Sequence, residues 1–114
     1  MSAEILIIDD NSDIREILND LIVEAGYSTR LAANYNQALS EIDKKLPDVA
    51  IIDVKLDKGD NDGIELLNHI KNKNKNIPVI IISGHANIDM AIKSLRISLI
   101  SELSSIISIS ADII

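Results

Sequence analysis

The chain has 114 residues, enough for one compact domain and too few for two. Its formal net charge of −7 repels a phosphate backbone and argues against direct nucleic-acid binding, while the lack of cysteine excludes a disulfide framework and a thiolate metal site. No run reaches the roughly 18 apolar residues of a membrane span and the start, Met1-Ser2-Ala3-Glu4, has no signal-peptide pattern, so a cytoplasmic protein without a membrane partner is expected.

Ile5-Leu6-Ile7-Ile8 is a short apolar run that ends in Asp9-Asp10. Runs of this length bounded by polar residues read as strands buried on both faces of a parallel sheet. Asn11 or Ser12 then caps a helix with Asp13 in its first turn. Ile14, Ile17, Leu18, Leu21, Ile22 and Ala25 recur at helical spacing, leaving Arg15, Glu16, Asn19, Asp20 and Glu24 outside, and Gly26 closes the helix. Residues 27–32 are expected as a strand from their position between two helices. Asn34 caps a second helix, with Tyr35, Ala38, Leu39 and Ile42 as its apolar stripe and Pro47 as its stop.

Val49-Ala50-Ile51-Ile52 repeats the pattern of the first strand and ends in Asp53. A charged loop follows, and Gly63 opens a third helix with Ile64, Leu67 and Ile70 facing inward. The Lys/Asn tract 71–76 is expected to be a solvated helix end. Pro78 introduces a further strand, Val79-Ile80-Ile81-Ile82, that ends in Ser83-Gly84, and Asn87 caps a fourth helix with Ile88, Ala91, Ile92 and Leu95 inward. Strands alternating with helices of this length imply right-handed βαβ units, so the fold class is α/β, a parallel sheet with helices on both faces.

In open α/β sheets ligands bind at the carboxyl ends of the strands. Asp9, Asp10, Asp53 and Ser83 all fall at that edge. Two like charges about 4 Å apart cost on the order of 4 kcal/mol at an effective dielectric near 20, so three carboxylates call for a cation. Oxygen donors select a hard ion, and few carboxylates completed by waters suit Mg²⁺ better than Ca²⁺. Such an ion beside a carboxylate and a hydroxyl suggests phosphoryl chemistry, with Asp53 attacking and Ser83 binding the transferred group. Strand-end aspartates that merely cap helices are the plainer alternative; an adjacent pair with a third at the next strand end favours a site.

Ile7-Ile8-Asp9-Asp10-Asn11, Ile51-Ile52-Asp53, Asp62-Gly63 and Ile82-Ser83-Gly84-His85 together resemble the receiver domain of two-component response regulators. The stretch from Asp57 through Asp62-Gly63, with Ser83-Gly84-His85-Ala86, looks closest to the nitrogen-regulation (NtrC/NtrX-like) members. The resemblance implies a flavodoxin-like open sheet of order 2-1-3-4, with a fifth strand missing or degraded. It implies Asp53 as the phospho-acceptor, served by a sensor histidine kinase. Mg²⁺ would be held by Asp10, Asp53 and the backbone carbonyl of Lys55, with Asp9 acting largely through water. Ser83 would bind the phosphoryl group and start the switch, backbone amides of Val54 and Gly84 would complete the cradle, and Lys55 and His85 would occupy the variable rim.

The receiver core is expected over residues 1–96, and residues 97–114 depart from the family. That tail holds no Lys, Pro, Gly, Tyr or Phe, whereas the family has a switch aromatic and a Lys-Pro pair, its lysine expected near Ser104 or Ser105. Ile88, Ile92, Leu95, Leu99, Leu103 and Ile106 are spaced for a fourth helix running to about Ile107. The alternative is a strand remnant over residues 105–110. Without a fifth helix beside the first, an apolar surface is left open and self-association is expected. The missing lysine points to impaired output to any effector. Two other readings compete: a pseudo-receiver that binds its partner without phosphorylation, and a haloacid-dehalogenase-type phosphatase, which wants an acid where Lys55 stands.

Overall fold

The computed structural model describes residues 3–53, 56 and 62–83, together with the backbone of residues 106–110. In chain order the elements are β1 (Glu4–Ile8), α1 (Ser12–Glu24), β2 (Ser28–Ala32), α2 (Tyr35–Lys44), β3 (Val49–Asp53), α3 (Asp62–Lys73), β4 (Val79–Ser83) and β5 (Ile106–Ser110). The strands pair in parallel in the order β2-β1-β3-β4-β5. The first four thus follow the expected 2-1-3-4. The fourth helix expected from Asn87 lies outside the described residues.

Strand alternation divides the core. Ile5 and Ile7 of β1, with Val49, Ile51, Ile80 and Ile82, meet Leu18 and Ile22 of α1 on one face. Leu6 and Ile8, with Ala50, Ile52, Val79 and Ile81, meet Ala38 and Ile42 of α2 and Leu66, Leu67 and Ile70 of α3 on the other. Both faces of β1 and β3 are therefore covered, which is why their sequences are apolar throughout and carry no polar alternation.

The fifth position of the sheet is filled by β5, paired with β4 from Val79 opposite Ile106 to Ser83 opposite Ser110. A helix running on to Ile107 is overturned at Ile106 and Ile107. Three β-branched isoleucines in five residues favour an extended chain, and the open edge of β4 offers them a ladder of hydrogen-bond partners. The tail therefore supplies a fifth strand, short and made only of Ile and Ser. Its bounds, Ile106–Ser110, fall within the strand remnant over residues 105–110 that was the alternative to the long helix.

Two expectations for α1 also change. Ile17 and Leu21 are 43% and 39% exposed. Each lies one residue before a buried partner, Leu18 or Ile22, and so about 100° around the helix from it. Arg15, expected outside, is half-buried and turned back toward β1. The helix ends follow the sequence closely. Asn11 Oδ1 accepts from the amides of Asp13 and Ile14, and Asn34 Oδ1 accepts from that of Gln37. Gly26, at φ 100°, closes α1: its amide donates to the Val23 carbonyl and the Tyr27 amide donates to that of Ile22.

Candidate functional site

β1 and β3 lie side by side with Ile8 opposite Ile52, so Asp9 and Asp53 follow at the same sheet edge. One carboxylate oxygen from each of Asp9, Asp10 and Asp53 lies within 4.8 Å of the others. Asp9 is 5% exposed, Asp53 half-buried and Asp10 exposed. The three expected carboxylates are thus brought together at the carboxyl edge.

The environment of Asp9 comes from both flanking elements. Its amide donates to the carbonyl of Ala32 at the end of β2, at 3.1 Å. Its carboxylate accepts from the Asn11 amide at 2.9 Å, which fixes the side chain at the entry to α1. Burial raises its pKa above the ordinary 3.8; the Asn11 amide opposes this, the Asp10 charge adds to it and the Arg15 charge lowers it. The amino end of α1 begins three residues after Asp9, so its partial positive charge faces the same edge.

The donor set fits a small hard cation. Ligands at about 2.1 Å from an octahedral ion lie roughly 3–4.2 Å apart, so a modest side-chain adjustment closes this cluster around one, and a carboxylate acting through water needs less. At these separations like charges repel by about 3–4 kcal/mol per pair at an effective dielectric near 20, so a divalent ion relieves repulsion that is built into the fold.

Ser83 is the last residue of β4. Asp53 pairs with Ile82, which puts Ser83 one step further along the neighbouring strand. Val54, Lys55, Gly84 and His85 lie outside the described residues.

Two residues near this edge were given no role in the sequence reading. Arg15 donates from Nη1 to the Asp9 carbonyl at 2.7 Å; its place six residues after Asp9 was the available signal. Asp62, the first residue of α3, is only 3% exposed, and its Oδ1 accepts from the amides of Leu56 at 2.6 Å and Gly63 at 3.1 Å. An acid at the start of a helix was its signal.

The family described as response regulator receiver domain matches residues 5–104. The chain is 38% identical over 96 residues to the nitrogen assimilation regulatory protein NtrX of Azorhizobium caulinodans, covering 84% of this chain and 21% of that protein. It is 41% identical over 90 residues to sporulation initiation phosphotransferase F of Bacillus subtilis, covering 79% of this chain and 71% of that protein. The crystal structure of the receiver domain of NtrX from Brucella abortus superposes with a TM-score of 0.68 at 32% identity, covering 94% of this chain and 84% of that one. The chain spans about a fifth of the length of the NtrX-type regulators it matches.

Proposed function

Because this chain belongs to the response regulator receiver domain family, we propose that it is a phosphorylation-responsive signalling module in which Asp53 accepts a phosphoryl group from the phosphohistidine of a sensor kinase. An Asp53 carboxylate oxygen attacks phosphorus, the phosphorus–nitrogen bond breaks, and the imidazole leaves and takes up a proton. The observation that carries this reading is the carboxylate triad at the edge where β1 and β3 end. A Mg²⁺ ion, when bound, neutralises charge on the phosphoryl oxygens. Asp10, Asp53 and the backbone carbonyl of Lys55 would hold it, with Asp9 acting through water. Ser83 would hydrogen-bond the transferred group, and the amides of Val54 and Gly84 would complete the cradle, with His85 at the rim.

The kinase needs a surface near Asp53. Ile17 and Leu21 give the outer side of α1 an apolar contact face, and α1 starts beside the triad. Output is a separate matter: residues 97–114 contain neither Lys nor Arg, so no cation from this segment couples phosphoryl charge to a switch. Phosphorylation with a weakened conformational response is the expected behaviour.

Phosphoramidate, a small donor with the same phosphorus–nitrogen bond, tests the chemistry. Intact mass should show one phosphoryl adduct that requires Mg²⁺ and is absent from Asp53→Asn. An adduct that forms equally without Mg²⁺, or equally in Asp53→Asn, would refute the reading.

A further inference from the structure

Asp10 is the exposed member of the triad, so packing does not hold it, yet the peptide units on both sides of it are tied. The Asp9 carbonyl, in the peptide joining residues 9 and 10, accepts from Arg15 Nη1 at 2.7 Å. The Asn11 amide, in the peptide joining residues 10 and 11, donates to Asp9 Oδ1 at 2.9 Å. A peptide unit is planar, so a hydrogen bond to one of its polar atoms fixes how the whole unit is turned. With both units held, φ and ψ of Asp10 are set, and with them the direction in which its Cβ leaves the chain.

From this geometry we infer that Arg15 is a positioning residue for the cation: by holding the Asp9 carbonyl it sets the backbone from which Asp10 brings its carboxylate to those of Asp9 and Asp53. The inference deepens the proposed function and rests on it. Three further observations support it. Asp9 is held from its other side, its amide donating to the Ala32 carbonyl at 3.1 Å, so Arg15 acts on a turn whose start is already anchored. Arg15 is itself fixed: its amide donates to the Asn11 carbonyl at 3.0 Å in the first turn of α1, and buried Leu18 and Ile22 seat that helix on the sheet. The 2.7 Å contact lies at the short end of the range for charge-assisted hydrogen bonds, and the half-buried side chain limits competition from water. As a bare charge Arg15 would repel a cation at the triad; its hydrogen bond to the backbone acts in the opposite sense.

The test compares the full chain with Arg15→Met and Arg15→Lys, the second keeping the charge and a donor. Two quantities are measured on unphosphorylated protein: Mg²⁺ affinity by calorimetry, and backbone order at Asp10 by NMR relaxation without metal. Unfolding curves establish that each variant is folded at the temperature used. Arg15→Met should bind Mg²⁺ about 10-fold more weakly, the lower end of the usual effect of removing a group that orients a metal ligand, because loss of the charge works the other way. The order parameter of its Asp10 amide should fall from the rigid value of about 0.85 to about 0.6. Arg15→Lys should recover most of both losses. Equal or tighter Mg²⁺ binding by a folded Arg15→Met, the result expected of a charge alone, would overturn the positioning role and leave the proposed function standing. Weaker binding with Asp10 as ordered as in wild type would do the same. Failure of wild type to bind Mg²⁺ would overturn both.

Discussion

Arg15 turns back along α1 and donates to the backbone carbonyl of Asp9 at 2.7 Å, bringing a guanidinium against the least exposed member of the carboxylate triad. The contact ties the first helix to the end of the first strand and partly offsets the desolvation of Asp9. The sign of its pH dependence follows. The folded-state pKa of Asp9 is raised, mainly by burial, so its contribution favours folding below the unfolded value and is lost as pH rises through the folded one. Arg15 lowers that pKa and so limits the loss.

Arg15→Met should therefore destabilise the metal-free protein at pH 7 by about 1–2 kcal/mol, the worth of a hydrogen bond from a charged donor. The deficit should shrink as Asp9 becomes protonated, because the Coulombic part then vanishes. Urea unfolding at several pH values between neutrality and the acid range measures both.

Removing the buried charge itself should do the opposite. Asp9→Asn keeps an oxygen for the Asn11 amide and abolishes the like-charge repulsion with Asp10. Its metal-free melting temperature at pH 7 should exceed that of wild type, the gain disappearing where Asp9 is protonated. Added Mg²⁺ should stabilise wild type more than the variant, by the mass-action relation between ligand binding and stability.

A second cation organises the far end of the β1–β2 pair. Arg30 donates from Nε to Glu4 Oε1, from Nη1 to the carbonyl and Oε1 of Glu41, and from Nη2 to the Lys45 carbonyl. Its hydrogen bond holds the Glu41 pKa below the ordinary 4.5, so that stabilisation is present above the unfolded pKa and lost as pH falls through the folded one. Arg30→Met should cost about 1–3 kcal/mol at pH 7 and less in acid, read from the same unfolding series.

Gly26 is a backbone test free of packing effects, since a Cβ built there meets nothing within 4 Å. At φ 100° any L side chain is strained. Gly26→Ala should lower stability by about 1–2 kcal/mol with no change in Mg²⁺ affinity, as thermal unfolding and calorimetry would show.

Ile17 and Leu21 separate folding from recognition. Both are exposed, so the pair Ile17→Ser and Leu21→Ser should change stability by no more than about 0.5 kcal/mol each. Phosphorylation by a small donor should be unaffected, whereas transfer from a phosphorylated kinase that serves wild type should slow. Equal loss with both donors would point to damage at the triad.

The parts of this fold that a sequence can carry are those with one physical solution. Runs such as Ile5–Ile8 and Val49–Ile52 are apolar at every position because helices cover both faces. Asn11, Asn34 and Gly26 announce helix ends because few residues satisfy those backbone positions. The triad was legible because parallel strands deliver their last residues to one edge. What was not legible depended on competing solutions. The isoleucines of β5 fit a helical period and an extended chain equally, and the free edge of β4 decides between them. The exposed side of α1 could not be separated from its buried side, because Ile17, Leu18, Leu21 and Ile22 are all apolar. Arg15 and Asp62 meet backbone carbonyl and amide groups, so residue type alone did not say what each would touch.

The central claim is that the phosphoryl group is carried by Asp53. Borohydride reduces an aspartyl phosphate to homoserine, so treating the phosphorylated chain and mapping its peptides locates the acceptor. The account predicts homoserine at position 53 in wild type, dependent on both donor and Mg²⁺, with Asp9 and Asp10 unchanged. Homoserine at position 9 or 10, or a phosphoryl adduct that leaves position 53 unreduced, would contradict it.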